Sequence, residues 1–529
     1  MKKRIKIVCI AIAFTLLIIS YIIFDNKDNI RTFKQDGITY ALKVDGASVT
    51  NFPAKGLYKV SVKCENAKGK WLYDEWKLTL ENITGDVSCD LDFKTISKTN
   101  LNDYVISLAG STQGAGQVVS ETANIPDYTD ATVLSKDFYV SPNIFSSSSH
   151  SDSSGIPVSN VFNFSDSKWT SIPSAMTTNT YYHFQFKPKE NGFYQLCGNI
   201  SIGNTDNKLG WYDYRRAGYY VWSASTTEAK NNLCVNMGYI TTDNYIKVYQ
   251  RAYTDIATTS FSIKKAPTFA SYNYGIRYEG KNPNNYVWFN NELWRIIGVF
   301  DSVSHGVSGK NLVKIIRADT LDGLAWHKSL NNNWTAASLN KLLNGAYYNA
   351  QDGTDTGYCY GLSPGLTMNC DYTQKGIQSG YRGMIANVTW YLGGFLGTNE
   401  TAEGFYGYER GNTVYSGRPT STTGYVGLMY PSDYGYSVLS SSCARTTTLG
   451  SYNKTSCGGQ SWLYGKGQEW TLTPSSYYGN HVFSMFSDGR VVDFLAVNGF
   501  GHRPVLYLDS TVYKIDGDGS MANPYIIGM

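Results

Sequence analysis

WTLTPSSYYGNHVFSMFSDGRVVDFLAVNGFGHRPVLYLDS, residues Trp470 to Ser510, decides how the last part of the chain is read. Two apolar elements, WTLTP (Trp470–Pro474) and RPVLYL (Arg503–Leu508), bracket a segment of different character. Between them stand Ser475, Ser476, Tyr477, Tyr478, Asn480, His481, Ser484, Phe486, Asp493, Phe494 and Asn498. Tyrosine offers broad, rigid contact area, while serine, asparagine and glycine offer adaptable hydrogen bonds, the mixture that binding loops favour. All of these residues except Ser476 are candidate ligand contacts. The opposing reading is an ordinary tyrosine-rich surface.

Working outward, NLVKIIRAD (Asn311 to Asp319) reads as a buried strand. AASLNKLLN (Ala336 to Asn344) has the spacing of an amphipathic helix, with Thr335 placed to cap its start and Gly345 to stop it. Further back the pattern is strands alone. In YKVSVKC, Val60, Val62 and Cys64 fall on one face, the period-two alternation of a half-buried strand. YYHFQFKPKENGFYQLCGNISI (Tyr181 to Ile202) reads as a hairpin turning at Glu190-Asn191-Gly192. The expected organisation is multidomain and mainly β: a small immunoglobulin-like β-domain over 30–98, a jelly-roll-like β-sandwich over 99–267, and an α+β domain over 271–529.

Composition agrees with that reading. Of 529 residues only 17% are charged and 15% are aromatic, with 43 Tyr and 51 Gly. A disordered chain would be charged and poor in aromatics, and a helix bundle would be rich in Ala, Glu, Lys and Leu. The formal charge is +4, and Lys2, Lys3, Arg4 and Lys6 account for all of it. The rest is neutral overall and carries no basic stripe, so nucleic acid is not an expected partner.

Those four charges form a basic tip (1–6), taken as cytoplasmic, before an uncharged apolar run, Ile7 to Phe24. As a helix, 18 residues span about 27 Å, close to the thickness of a bilayer's hydrocarbon core. The run ends as Tyr-Ile-Ile-Phe, with no small-residue cleavage site, which favours an uncleaved transmembrane signal-anchor over a cleaved signal peptide. Positive-inside bias then places the bulk of the chain outside the cell membrane. Cys9 lies in the run, and the other eight cysteines fall into four local pairs: Cys64 and Cys89, Cys197 and Cys234, Cys359 and Cys370, Cys443 and Cys457. An even count in an exported chain reads as disulfides, and nearest-neighbour pairing keeps each bridge within one expected domain.

A series of motifs carries a resemblance: NYVWFNNELWRIIGVF (Asn285 to Phe300), VGLMYPSDYGYSV (Val426 to Val438), WLYGKGQEWTLTP (Trp462 to Pro474), VFSMFSDGRVVDF, GHRPVLYLDS and DGDGSMANPYII. The series resembles large exported surface proteins of gut-type Firmicutes bacteria. Their final domain looks like the C-type-lectin-like fold, in the branch shared with formylglycine-generating enzymes. The resemblance implies that the RPVLYL strand pairs back centrally, with Val505 and Leu506 in the core and Arg503 anchoring a turn. It implies that Trp294, Trp462 and Trp470 fill the core with their indole N–H groups bonded. It also implies that the stretch before the last strand is the exposed ligand face.

The enzymes of that branch use reactive cysteines near the C-terminus, and here no cysteine follows Cys457, so no cysteine-dependent oxidase activity is expected. Glycoside hydrolysis needs two carboxylates flanking a cleft. Glu403, Glu409 and Glu469 are the candidates, read as solvated surface groups. Asp516 and Asp518 in DGDGS could begin a calcium site, but no completing Glu follows, and a tight glycine turn is the preferred reading. No metal or cofactor is expected. The functional expectation is a cell-surface adhesion protein that binds an extracellular protein or glycan without covalent chemistry. The alternatives are a glycan-active envelope enzyme and a structural envelope protein.

Overall fold

A computed structural model describes residues 22–24, 31–73, 75–127, 132–133, 138–140, 145–147, 165–166, 180–200, 208–213, 218–223, 230–240, 242, 246–252, 261–266, 268–361, 368–395, 400–465 and 467–529. It is mainly β, with strands gathered in several sheets. Residues 7–21 of the expected anchor lie outside the described residues. Its last three, Ile22–Phe24, form a strand paired with Arg31–Gln35. Among the described residues no helix is long and apolar enough to cross a membrane.

The N-terminal unit is built by its turns. Asp36-Gly37 and Asp45-Gly46 all have φ between 49° and 82°. This double left-handed geometry closes a two-residue hairpin with the twist of the flanking strands. The sheet runs Ile22–Phe24, Arg31–Gln35, Ile38–Val44, Ser88–Thr95, Tyr58–Glu65, with Ile38–Val44 parallel to Ser88–Thr95. Its core holds Tyr40, Leu42, Leu91 and Phe93, against which Trp71 stands edge-on, 5.1 Å from the Phe93 ring and 5.2 Å from Trp76. Cys64 and Cys89 are disulfide-bonded. They face each other across adjacent strands of one sheet, so this bridge does not join two sheets as an immunoglobulin staple would.

The C-terminal unit begins earlier than its sequence pattern suggests. Thr99–Asn100 pairs with Tyr513–Asp516, and helix Leu101–Ser107 buries Leu101 and Val105 in the large core. Ala115–Asp127 then forms a long antiparallel ladder with Thr268–Asn282. That ladder continues into Glu292–Phe300, Leu312–Arg317 and Val505–Leu508. Thr99–Asn100, Thr112–Gln113 and Ala115–Asp127 are strands of the last unit's sheet, and 128–267 runs between two of its paired strands. Glycine permits the close approach at the ladder's root. A Cβ on Gly275, where φ is +100°, would lie 2.5 Å from the Val299 carbonyl oxygen, and one on Gly298 would lie 2.3 Å from that of Ile276.

Within the insertion the described strands form two sheets. One holds Thr132–Val133, Phe261–Lys265, Gly192–Ile200 and Lys230–Ile240; the other centres on Thr180–Pro188 and Ile246–Ala252. The expected hairpin is therefore corrected. Thr180–Pro188 and Gly192–Ile200 lie in different sheets, and the Glu190-Asn191 turn passes between sheets. A local alternation cannot distinguish a hairpin from such a corner, because both need the same turn residues.

Most other expectations for the last unit hold. Leu312–Arg317 is buried except at its end. Val505 and Leu506 are fully buried. Trp294, Trp462 and Trp470 are core residues whose indole nitrogens donate to Glu292, the Tyr278 carbonyl and the Leu324 carbonyl. Truncating one such tryptophan to alanine removes on the order of 3–5 kcal/mol. The helix differs from expectation. Asn333, not Thr335, caps a short 3₁₀ turn at Trp334–Ala336, and the helix runs through Gly345 as a wider turn to Tyr347. The Asn333 side-chain oxygen accepts from both the Thr335 amide and its hydroxyl, which places Thr335 inside the turn.

Candidate ligand-binding face

The second sheet of the last unit runs Leu321–Ala325, Gly499–His502, Glu469–Pro474, His481–Met485, Val491–Leu495. The loop 475–480 joins two of these strands at one end. Its backbone is closed by the Ser475 amide donating to the His481 carbonyl (3.0 Å) and the His481 amide donating to the Tyr478 carbonyl (3.3 Å). The Ser475 hydroxyl oxygen accepts from the amides of Tyr477 and Tyr478, as a serine does when it organises a turn.

A residue distant in sequence fixes this loop. The Asn332 side-chain nitrogen lies 2.7, 2.9 and 3.0 Å from the carbonyl oxygens of Ser475, Tyr478 and His481. The Asn332 amide donates to the Gly479 carbonyl, which also accepts from Arg418, and Arg418 donates to the Asn332 side-chain oxygen. Gly479 packs so closely on Tyr415 that a Cβ there would lie 2.6 Å from the ring.

On this scaffold the Tyr477 and Tyr478 rings meet edge-on at 4.5 Å, and Tyr478 lies 4.7 Å from the His481 ring. His481 Nδ1 is 3.1 Å from the Asp493 carboxylate, which fixes the imidazole's orientation. Leu495 stands opposite His481 in the strand register. Leu330 precedes Asn332 by two residues. Leu330 (59% exposed), Tyr478 (45%) and Leu495 (36%) are three of the seven exposed large apolar side chains among the described residues, and Leu330 falls between His327, whose amide donates to the Ala496 carbonyl, and Asn332, whose amide donates to the Gly479 carbonyl. Burial pushes the Tyr478 phenol above its ordinary pKa.

The candidate contacts therefore divide. Tyr477, Tyr478, Asn480, His481 and Asp493 come together at the loop end. Asn498 follows in the turn whose amide donates to the Leu495 carbonyl. Phe486 lies beside the opposite turn, its ring stacked on Phe494 at 5.4 Å. Ser475 and Ser484 are buried, the latter donating to the Val492 carbonyl. Leu330, Leu495, Asn332, Arg418 and Tyr415 were not legible as parts of the site. Asn332 sits 143 positions from Ser475, and no periodicity links them.

The other candidates also find places. Glu403 is exposed as expected, but Glu409 and Glu469 are fully buried, a correction to their reading as surface groups. Glu469 accepts from Arg503 at 2.8 Å and from Thr320 at 2.9 Å; Glu409 accepts from the Ser432 amide and hydroxyl. Arg503 also donates to the Leu463 carbonyl, anchoring the chain before Pro504. Asp516 pairs with Lys59, and Asp518 accepts from the Ser520 amide, around Gly517 and Gly519 at positive φ. Cys359–Cys370 and Cys443–Cys457 are bridged. Cys197 is disulfide-bonded and stands opposite Cys234 in the strand register.

No protein-family model matches the chain, and no curated protein matches it.

Proposed function

We propose that this chain is an exported, membrane-anchored surface protein that holds an extracellular protein or glycan at the face around Tyr478, acting by equilibrium binding without chemistry on the ligand. The supporting observation is the gathering of Leu330, Tyr478 and Leu495 beside His481 and Asp493, on a backbone fixed from beneath by Asn332. A rigid aromatic centre with a polar rim suits recognition, because little conformational entropy is lost when it is covered. The bridges Cys64–Cys89, Cys359–Cys370 and Cys443–Cys457 fit an oxidising compartment. The likeness of the last unit to the C-type-lectin-like fold, and the Ile7 to Phe24 anchor, belong to the same proposal.

The test is a glycan and extracellular-protein array probed with residues 31–529. Tyr478→Ala and His481→Ala should each lower retention of a captured ligand by about tenfold or more, as hot-spot truncations do, with the melting temperature unchanged. Retention equal to the parent in both variants refutes this face.

A further inference from the structure

Lys314 lies in the middle of the buried strand Leu312–Arg317, where its neighbours are apolar. Asp433 lies in the first turn of helix Pro431–Tyr436. The side chains are 0% and 1% exposed, and Lys314 Nζ stands 2.5 Å from Asp433 Oδ2. The other oxygen, Oδ1, accepts from the buried Arg277 guanidinium at 3.1 Å. The Tyr430 amide donates to Oδ2 at 2.9 Å. Four rings surround the amine: Tyr430 at 4.5 Å, Tyr507 at 5.6 Å, Phe300 at 5.7 Å and Trp390 at 5.9 Å.

An ordinary buried ion pair is a poor use of such a position, since taking both charges out of water offsets most of their attraction. The same enclosure favours a different outcome. An amine and a carboxyl group held in contact, sealed from water, react as one molecule, and the water they release has no reason to return. We propose that Lys314 and Asp433 condense into an Nζ–Cγ amide, a covalent cross-link between the Leu312–Arg317 strand and the Pro431–Tyr436 helix.

The step balances without a co-reactant. The Lys314 nitrogen bonds to Asp433 Cγ, and the Cγ–Oδ2 bond breaks. The ammonium gives up two protons, both of which leave on Oδ2 as one water molecule. Nothing is oxidised or reduced. Arg277, already on Oδ1, stabilises the charge that gathers there as Cγ becomes tetrahedral. Burial lowers the Lys314 amine to a pKa of about 8, which raises the fraction present as the free nucleophile; Lys314 and Arg277 hold the Asp433 carboxyl low, so the proton that makes Oδ2 a leaving group has to come from the ammonium itself. The link joins residues 119 positions apart, fastening the main sheet to the helix that lies against it.

The experiment is the intact mass of the purified full chain after reduction of its disulfides, followed by digestion and fragment sequencing. The expected result is a mass short by one water, and a branched peptide carrying both Lys314 and Asp433. Lys314→Met and Asp433→Ala should each restore the full mass of their own sequences. Two linear peptides with Lys314 and Asp433 unmodified overturn the proposal, whether or not water is lost elsewhere. Because the parent protein carries the deciding readout, a variant that fails to fold does not blunt the test.

Discussion

Glu121 and Glu279 approach Arg445 in different charge states. Arg445 Nη2 donates to Glu279 at 2.6 Å and to Glu121. Burial, helped by the hydrogen bond with Glu121, pushes the Glu279 carboxyl up to about 9. Burial works the same way on Glu121, but the bonds from Glu279 and Arg445 outweigh it and hold that carboxyl low. At pH 7 the pair carries one proton, on Glu279. Glu279→Gln, which mimics the protonated group, should therefore change the urea-derived unfolding free energy by less than about 1 kcal/mol, whereas Glu121→Gln should cost about 2 kcal/mol, because the buried Glu279 must then give up its proton to keep a negative charge beside Arg445. His502 behaves oppositely as a base. It is fully buried, and burial lowers its pKa from 6.5 to about 3. Between those values the unfolded chain binds the proton and the folded chain does not, so stability rises with pH across that window. This group's share is lost as pH falls from 6.5 towards 3, at up to about 1.4 kcal/mol per pH unit. His502→Gln should flatten that slope in denaturant titrations run at successive pH values.

The loop 475–480 is an element whose shape is set from outside itself. Asn332→Ala removes the side-chain donor near three carbonyl oxygens and should cost about 2–3 kcal/mol. It should also abolish ligand retention although Asn332 is itself buried. Thermal unfolding and the array separate this from Tyr478→Ala, which should lose retention alone. The contrast shows what the sequence carries. The strands bracketing the loop, the tyrosines in it and the buried tryptophans of the last unit were all legible, because alternation and large apolar side chains state their own burial. The buttress was not, since an asparagine announces no particular partner. Nor were the buried Glu409 and Glu469: a carboxylate reads as solvated until its arginine or serine is seen beside it. The hairpin expected at Tyr181 to Ile202 failed for a related reason, since pairing partners such as Ile246–Ala252 and Lys230–Ile240 are chosen by the whole sheet.

At the scale of the molecule, the ladder between Ala115–Asp127 and Thr268–Asn282 decides the plan. Asp127 and Thr268 are direct partners at its outer end, so the chain leaves and re-enters the last unit at one place. Replacing residues 128–267 by Asn-Gly should close that ladder as a simple hairpin and leave a cooperatively folded remainder, because this dipeptide fits a two-residue turn. Aggregation of that shortened chain, or loss of its near-ultraviolet circular dichroism, would show that the insertion is needed for the core.

The side-by-side roots of the insertion have a mechanical consequence. A tug between residue 31 and the Tyr478 loop travels through the small unit, the Thr99–Asn100 strand and the main sheet, and the paired ends Asp127 and Thr268 let it cross the root of the insertion directly. Rupture under load would be governed by the slowest-yielding contacts along the main path.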